Sequence, residues 1–255
     1  MLRPRIIPCL LVHDKGLVKT INFKYDKYIG DPINAVRIFN EKEVDELIVL
    51  DIDATVLNKE PDYKMISDLA AECRMPLCYG GGVKTVEQAK KIISLGVEKV
   101  AISSAAIDNP ELIKELSKAI GSQSIVVVLD VKKTGIFNSY ELFTHNGKVK
   151  SKKNILNFAQ LVEDNGAGEI LINSIDNDGM MKGYNIDLID KIRQTVGIPI
   201  TVLGGAGTIE DIKKVVSKYQ IIGVAAGSLF IYKGIYKAVL INYPNQGDKF
   251  AIINS

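Results

Sequence analysis

The stretches ELIVLDID (Glu46–Asp53) and EILINSID (Glu169–Asp176) lie 123 residues apart in the 255-residue chain, and each is an apolar run that ends in acidic residues. Three further pairs of matching stretches repeat in the same order at spacings of 119, 123 and 124 residues. They are Ile6–Leu11 with Ile125–Asp130, Gly81–Gly82 with Gly204–Gly205, and Val100–Ser104 with Val224–Ser228. Matches in one order and register indicate an internal duplication. The alternative is that all strand–helix units resemble one another.

Eight short apolar runs alternate with amphipathic helical patterns along the chain. Runs of this kind, without polar alternation, are typical of parallel strands that are buried on both faces. The predicted strands are Ile6–Val12, Glu46–Ile52, Pro76–Tyr79, Lys99–Ile102, Ser124–Asp130, Glu169–Asn173, Ile198–Leu203 and Ile221–Ala225. Eight strand–helix units in this length favour a single (β/α)8 TIM barrel, of the α/β class, over a doubly wound sheet. We expect one domain over residues 1–255, built from half-barrels of about 1–120 and 121–255.

Two loops interrupt the regular spacing. His145–Gly147 contains Asn-Gly, which predicts a hairpin turn between Ile136–Thr144 and Lys148–Ser151. A long loop over His13–Gly30 follows the first strand, and a last helix is expected near Ile231–Asn242. In a barrel, both loops would lie at the C-terminal face, where the active sites of such enzymes are found.

The composition excludes several classes of protein. Hydrophobic residues make up 47% of the chain and charged residues 24%, so a disordered or fibrous protein is excluded. A formal net charge of +2 provides no basic surface for nucleic acid. The three cysteines, Cys9, Cys73 and Cys78, lack disulfide or metal-ligand spacing, and we expect no metal and no cofactor. Because no signal peptide or membrane-length apolar run occurs, we predict a soluble, cytoplasmic protein.

The repeat places small residues after four of the predicted strands, in two equivalent sets. The predicted first phosphate site consists of Gly81, Gly82, Ser103 and Ser104, and the second of Gly204, Gly205, Gly227 and Ser228. Glycine allows backbone N–H groups to approach an oxyanion closely, and barrel enzymes bind phosphate after their seventh and eighth strands. Two such sets predict a ligand with a phosphate at each end. The alternative is that these glycines only close tight turns.

Polar residues at the strand ends supply the candidate chemistry. Asp130 ends the fifth strand, where a carboxylate faces the pocket mouth and can act as a general acid or base. Lys19, in the first long loop, could reach a phosphate or the reacting centre. Further pocket candidates, for which structural and functional roles both remain open, are Asp51, Ser174, Asp176 and Asp178.

Several long strings of sequence point to one family. They are Arg5–Leu10, Val18–Lys19, Gly80–Gly82, Gly121–Val126 with Asp130, Gly166–Gly179 and Gly204–Gly207. Over essentially its whole length, the chain resembles the cyclase subunit of imidazole glycerol phosphate synthase, from histidine biosynthesis. The resemblance implies a substrate with two phosphates. It also implies a reaction in which ammonia converts phosphoribulosyl-formimino aminoimidazole carboxamide ribotide to imidazole glycerol phosphate and aminoimidazole carboxamide ribotide.

The resemblance further implies a partner, a separate glutaminase that docks on the N-terminal face of the barrel as a heterodimer and supplies the ammonia. Members of this family carry a charged ring there that gates the barrel. The matching residues are Arg5, Glu46, Lys99 and Glu169, each at or just before a predicted strand. Without the resemblance, such charges would be interpreted as stabilising the N-terminal face.

Two positions depart from the family pattern, Leu11 and Leu203, and Leu203 stands where a small polar residue is expected before the second glycine turn. The family uses two aspartates, on strands one and five, as acid and base, and the first of these falls on Leu11 here. Leucine cannot transfer a proton, so the cyclase chemistry is in question. A divergent branch of the family, associated with surface-polysaccharide genes, is an alternative; there the barrel passes ammonia for an amidino group on a nucleotide sugar. A third hypothesis, a related phosphoribosyl isomerase, needs the same aspartate and no gate, so Leu11 and the ring oppose it.

Overall fold

Eight parallel strands close into a barrel in the computed structural model, which describes residues 3–135 and 139–253. The barrel strands are β1 (Arg5–His13), β2 (Leu47–Asp51), β3 (Leu77–Gly80), β4 (Lys99–Ile102), β5 (Ile125–Thr134), β6 (Glu169–Ser174), β7 (Ile200–Leu203) and β8 (Gly223–Ala226). Each strand pairs in parallel with the next, and β8 pairs with β1 from Gly223 opposite Arg5 to Ala226 opposite Pro8. The predicted (β/α)8 TIM barrel is therefore confirmed.

Helices cover the outside of the barrel. They are α1 (Pro32–Glu41), α2 (Tyr63–Glu72), α3 (Val86–Ser94), α4 (Ser104–Asp108), α5 (Glu111–Ile120), α6 (Ile155–Asp164), α7 (Ile186–Thr195), α8 (Ile209–Tyr219), α9 (Ser228–Ile231) and α10 (Gln246–Ile253). Thr85 and Thr208, 123 residues apart, each begin a helix with a complete capping box. This correspondence agrees with a duplication, and the half-barrel division itself stays a prediction.

Because side chains alternate between the two faces of each strand, the buried apolar residues form two separate cores. The larger core lies between the strands and the helices, and a second core fills the barrel interior. The interior core consists of Ile7, Cys9, Ile48, Cys78, Ala101, Val126, Val128, Leu171, Leu203 and Ala225, with Leu11 and Leu50 packed against it. On β1, for example, Arg5, Ile7, Cys9 and Leu11 are two residues apart and share the inward face. One inward row thus runs from a charged residue to the C-terminal end of the barrel.

The long loops differ in part from the expectation. The segment expected to be a loop over His13–Gly30 contains two antiparallel strands, Gly16–Ile21 and Lys24–Gly30, which extend β1 as a hairpin. Its outer strand is mostly exposed, so it has no apolar face that sequence periodicity could detect. The turn at His145–Gly147 joins Ser139–Thr144 to Val149–Lys150, as expected, whereas Ile136–Asn138 lie outside the described residues.

The expected last helix near Ile231–Asn242 is wrong. A short hairpin of Tyr232–Lys233 and Ala238–Val239 occupies this segment, and the final helix is α10. Ile235 and Tyr236 are almost fully exposed at the tip of this hairpin. No helix of the described ranges is long and apolar enough to cross a membrane.

Candidate active site and charged ring

Two cavities open at the C-terminal end of the barrel and share a wall. The first, of about 460 Å³, is lined by the whole predicted first phosphate site together with Asp51 and Asp130. The second, of about 30 Å³, is lined by the predicted second phosphate site together with Lys19 and Asp178. Leu11, Phe23 and Asn173 line both cavities. The two sets of small residues therefore lie on opposite sides of one composite pocket.

The glycine turns are built alike in the two halves. Gly81 has φ +125° and Gly204 has φ +94°, a backbone region that residues other than glycine rarely adopt. A Cβ atom at Gly81 would clash with the carbonyl oxygen of Asp51, and one at Gly204 with that of Ser174. Packing of each turn against the neighbouring strand requires glycine even without a ligand.

Asp130 lines the first cavity. Burial of its carboxyl raises the pKa to about 7; a hydrogen bond from Asn173 opposes this shift and the nearby charge of Asp178 adds to it. Asn173 Nδ2 donates to Asp130 Oδ1 at 3.0 Å. A carboxyl group with a pKa near neutral pH can both accept and return a proton, which is the property that general acid–base catalysis requires.

Lys19 brings a cation to the second cavity. Its side chain is buried, and Nζ donates to the carbonyl oxygen of Cys9 at 2.7 Å. Burial lowers the pKa of Lys19, while Cys9 and Asp178 oppose the shift. The same Nζ occupies the space that a Cβ atom of Gly227 would need. An ammonium group packed directly against a glycine turn can bind an anion together with the backbone N–H groups of that turn.

Two of the other candidate acids, Asp51 and Asp178, also line the cavities. Asp51 lines the first cavity, but Oδ1 also accepts from the backbone N–H groups of Asp53 and Ala54. Burial raises the pKa of Asp51, and these two N–H donors oppose the shift. Asp178 lines the second cavity and accepts from Thr20 Oγ1 at 2.7 Å, which ties the first long loop to the end of β6. Both carboxylates brace the walls of the pocket.

Ser174 and Asp176 line neither cavity. The Ser174 hydroxyl donates to Asn177 Oδ1 at 2.8 Å, and Asp176 accepts from the backbone N–H of Lys133 at 2.8 Å. They hold the loop after β6 in place, and the structure does not bring them to the pocket.

The four charges at the N-terminal end form a closed ring. Arg5 pairs with Glu46 and, at 2.7 Å, with Glu169, and Lys99 pairs with the same two carboxylates at 2.8 and 2.9 Å. Burial by itself would lower the pKa of Arg5 and of Lys99, but the two carboxylates outweigh it and raise both. In turn, the cations lower the pKa of Glu169 despite its burial. Arg5, Lys99 and Glu169 are thereby held in their charged forms.

The ring and the pocket are the two ends of the barrel interior. On β6, Glu169, Leu171 and Asn173 alternate inward, so one strand runs from the ring through the apolar core to the cavity wall. The layer between consists of apolar side chains such as Ile7, Cys9 and Leu171.

Asn173 and His145 are among the pocket residues that the sequence interpretation missed. Asn173 is a buried polar residue within an apolar strand, and this break in the pattern was the available signal. His145 belongs to a predicted turn, and the hairpin places it on the wall of the first cavity. No short-range pattern could have shown that.

Comparison with known proteins agrees with this geometry. A family model described as "Histidine biosynthesis protein" matches residues 5–237. The chain is 56% identical to a protein of Vibrio vulnificus over 98% of the chain and 96% of the relative, and 58% identical to one of Leptospira borgpetersenii over 99% of both. Both relatives are named provisionally as imidazole glycerol phosphate synthase subunits.

A third relative carries the name without that reservation. It is the imidazole glycerol phosphate synthase subunit HisF of Natranaerobius thermophilus, 39% identical over 96% of the chain and 97% of the relative. The barrel, the paired glycine turns and the family match lead to one conclusion: this chain belongs to the histidine-biosynthesis family, in its group of HisF-type imidazole glycerol phosphate synthase subunits.

Proposed function

We propose that the protein is a cyclase-type subunit of imidazole glycerol phosphate synthase. It uses ammonia from a partner glutaminase to convert phosphoribulosyl-formimino aminoimidazole carboxamide ribotide to imidazole glycerol phosphate and aminoimidazole carboxamide ribotide. The observation that carries this proposal is the continuous inward row from a closed charged ring, through an apolar interior, to a pocket with a glycine turn on each of two sides. Such an arrangement suits a small neutral nucleophile that enters at one end and an elongated ligand held at the other.

The two cavities would hold the two ends of the substrate. One phosphate would lie against Gly81 and Gly82 in the first cavity, and the other against Gly204 and Gly205 beside Lys19. Asp130 lies close to the shared wall, so the reacting centre would lie between the phosphates. Holding both ends orders the substrate for attack, which is a main source of rate acceleration.

The charged ring would act as the gate for ammonia. Its alternating charges satisfy one another, so the bottom of the barrel is closed while Arg5, Glu46, Lys99 and Glu169 stay paired. The apolar interior favours neutral NH3 over NH4⁺, since burying an unpaired ion is costly. The partner glutaminase would dock on this N-terminal face and open the ring.

A second candidate function rests on Leu11. Leu11 lines both cavities at the place where the family's strand-one acid is expected, and it cannot transfer a proton. In this candidate, the barrel conducts ammonia for an amidino group on a nucleotide sugar in surface-polysaccharide synthesis. The provisional names of the relatives that are more than 50% identical leave this possibility open.

One experiment separates the two functions. The purified protein is given an ammonium salt and the bisphosphorylated ribotide, and imidazole glycerol phosphate is measured. Turnover above background supports the synthase. No turnover in the native protein but activity in Leu11→Asp supports the second candidate. Leu50→Asp is the matched control, because Leu50 pairs with Leu11 on the neighbouring strand and also lines the first cavity.

A further inference from the structure

Cyclisation by ammonia requires protons to move at two places. Leu11 stands where one of the two expected proton-carrying aspartates would be, so this carrier is absent. Four other ionisable side chains besides Asp130 line the first cavity: Asp51, Lys84, Asp108 and His145. Asp51 is engaged by two backbone N–H groups, Lys84 pairs with Asn58, and Asp108 is exposed on α4. His145 is the remaining member of this set.

The hairpin turn holds His145 in a defined position. His145 and Asn146 both have left-handed backbone conformations, with φ of 53° and 55°. Asn146 Nδ2 donates to the carbonyl oxygen of Ile52 at 2.8 Å, which ties the turn to the segment that follows β2. Phe143, two residues before His145, pairs directly with Asp130 in the sheet. The turn is therefore anchored to both sides of the first cavity.

The imidazole has one nitrogen engaged and one available. Nδ1 lies 3.0 Å from Thr144 Oγ1, a contact that fixes the ring. Within residues 3–135 and 139–253, Nε2 has no protein partner. A fixed ring with one unpaired nitrogen at a cavity wall has the geometry of a group that exchanges a proton with a ligand.

We propose that His145 is the second proton carrier of the pocket and takes over the task that Leu11 cannot perform. This inference rests on the proposed function. Ammonia nitrogen bonds to an electrophilic C=N or C=O carbon of the substrate, and the π electrons of that bond move to its heteroatom. Asp130, as carboxylate, takes a proton from the new C–NH3⁺ group, while His145, as imidazolium, gives a proton to the heteroatom. Exchange with solvent then restores both side chains.

The test uses the ring nitrogens of the two histidines, His13 and His145, in the full-length protein labelled with ¹⁵N-histidine. His13 is the internal control, because its Nδ1 is held by Asp53 at 2.7 Å. On addition of the bisphosphorylated ribotide without ammonia, the Nε2 resonance of His145 is expected to shift while that of His13 stays unchanged. His145→Gln assigns the signals.

Turnover with ammonium salt provides the second readout. His145→Gln is expected to lower kcat by about 10²–10⁴ with little change in KM, and His13→Gln to leave both nearly unchanged. An unshifted His145 ring, or native kcat in His145→Gln, overturns the inference. If the native protein itself shows no turnover, the proposed function fails, and the ring shift alone decides whether His145 contacts the ligand.

Discussion

The hydrogen bond from Asn173 to Asp130 opposes the effect of burial on the pKa of the candidate acid–base group. Asn173→Leu removes the donor and keeps a side chain of similar size, so the carboxylate loses its partner without a large cavity being formed. A hydrogen bond to a charged group contributes about 1.5–3 kcal/mol. Because 1.36 kcal/mol corresponds to one pH unit, the pKa of Asp130 should rise by about one to two pH units above its value of about 7.

The assay is carbon NMR of the protein labelled at the aspartate carboxyl carbons, titrated between acid and alkaline pH. Asp130→Asn identifies the resonance. Asn157→Leu is the matched control, because it makes the same chemical change on the exposed face of α6, and it should leave the pKa of Asp130 unchanged. A pKa in Asn173→Leu that stays the same or falls would refute the role assigned to the hydrogen bond.

Three further predictions follow from the buried charges and the glycine turns. Burial raises the pKa of Asp130 to about 7, so ionisation of this carboxyl destabilises the fold as pH rises from about 4 to 7. Asp130→Asn removes this penalty, so its stabilising effect on the free energy of unfolding should be larger at pH 8 than at pH 4, by at most about 4 kcal/mol. Equal effects at the two pH values in denaturant titrations would contradict this. Lys99→Met should impair glutamine-dependent but not ammonia-dependent turnover, and equal losses would argue against a gate. Gly205→Ala should lower the free energy of unfolding by more than about 2 kcal/mol, because φ is +116° and the new Cβ atom would clash with the Gly183 carbonyl oxygen. The control Gly96→Ala, at φ +101° without a clash, should lower it by only about 1 kcal/mol. Similar losses in the two variants would contradict the packing argument.

The local predictions succeeded where burial follows sequence periodicity. The strand predicted at Lys99–Ile102 has those bounds, and that predicted at Glu169–Asn173 extends by one residue to Ser174. Strands buried on both faces need apolar residues at every position, so the pattern is readable without the fold. The outer strand Lys24–Gly30 and the hairpin Tyr232–Val239 were missed because they are mostly exposed and burial imposes no pattern on them.

The sequence by itself determined the barrel, the two sets of glycine turns and the kinds of charge at each end, because these depend on apolar periodicity and on residues that only certain backbone conformations allow. The tertiary structure decided which side chains meet. Closing the barrel brings Arg5 to Glu169, places Asn173 against Asp130, and carries Ser174 and Asp176 away from the pocket. Contacts between residues 43 to 164 positions apart depend on strand order and register, which no short stretch of sequence encodes.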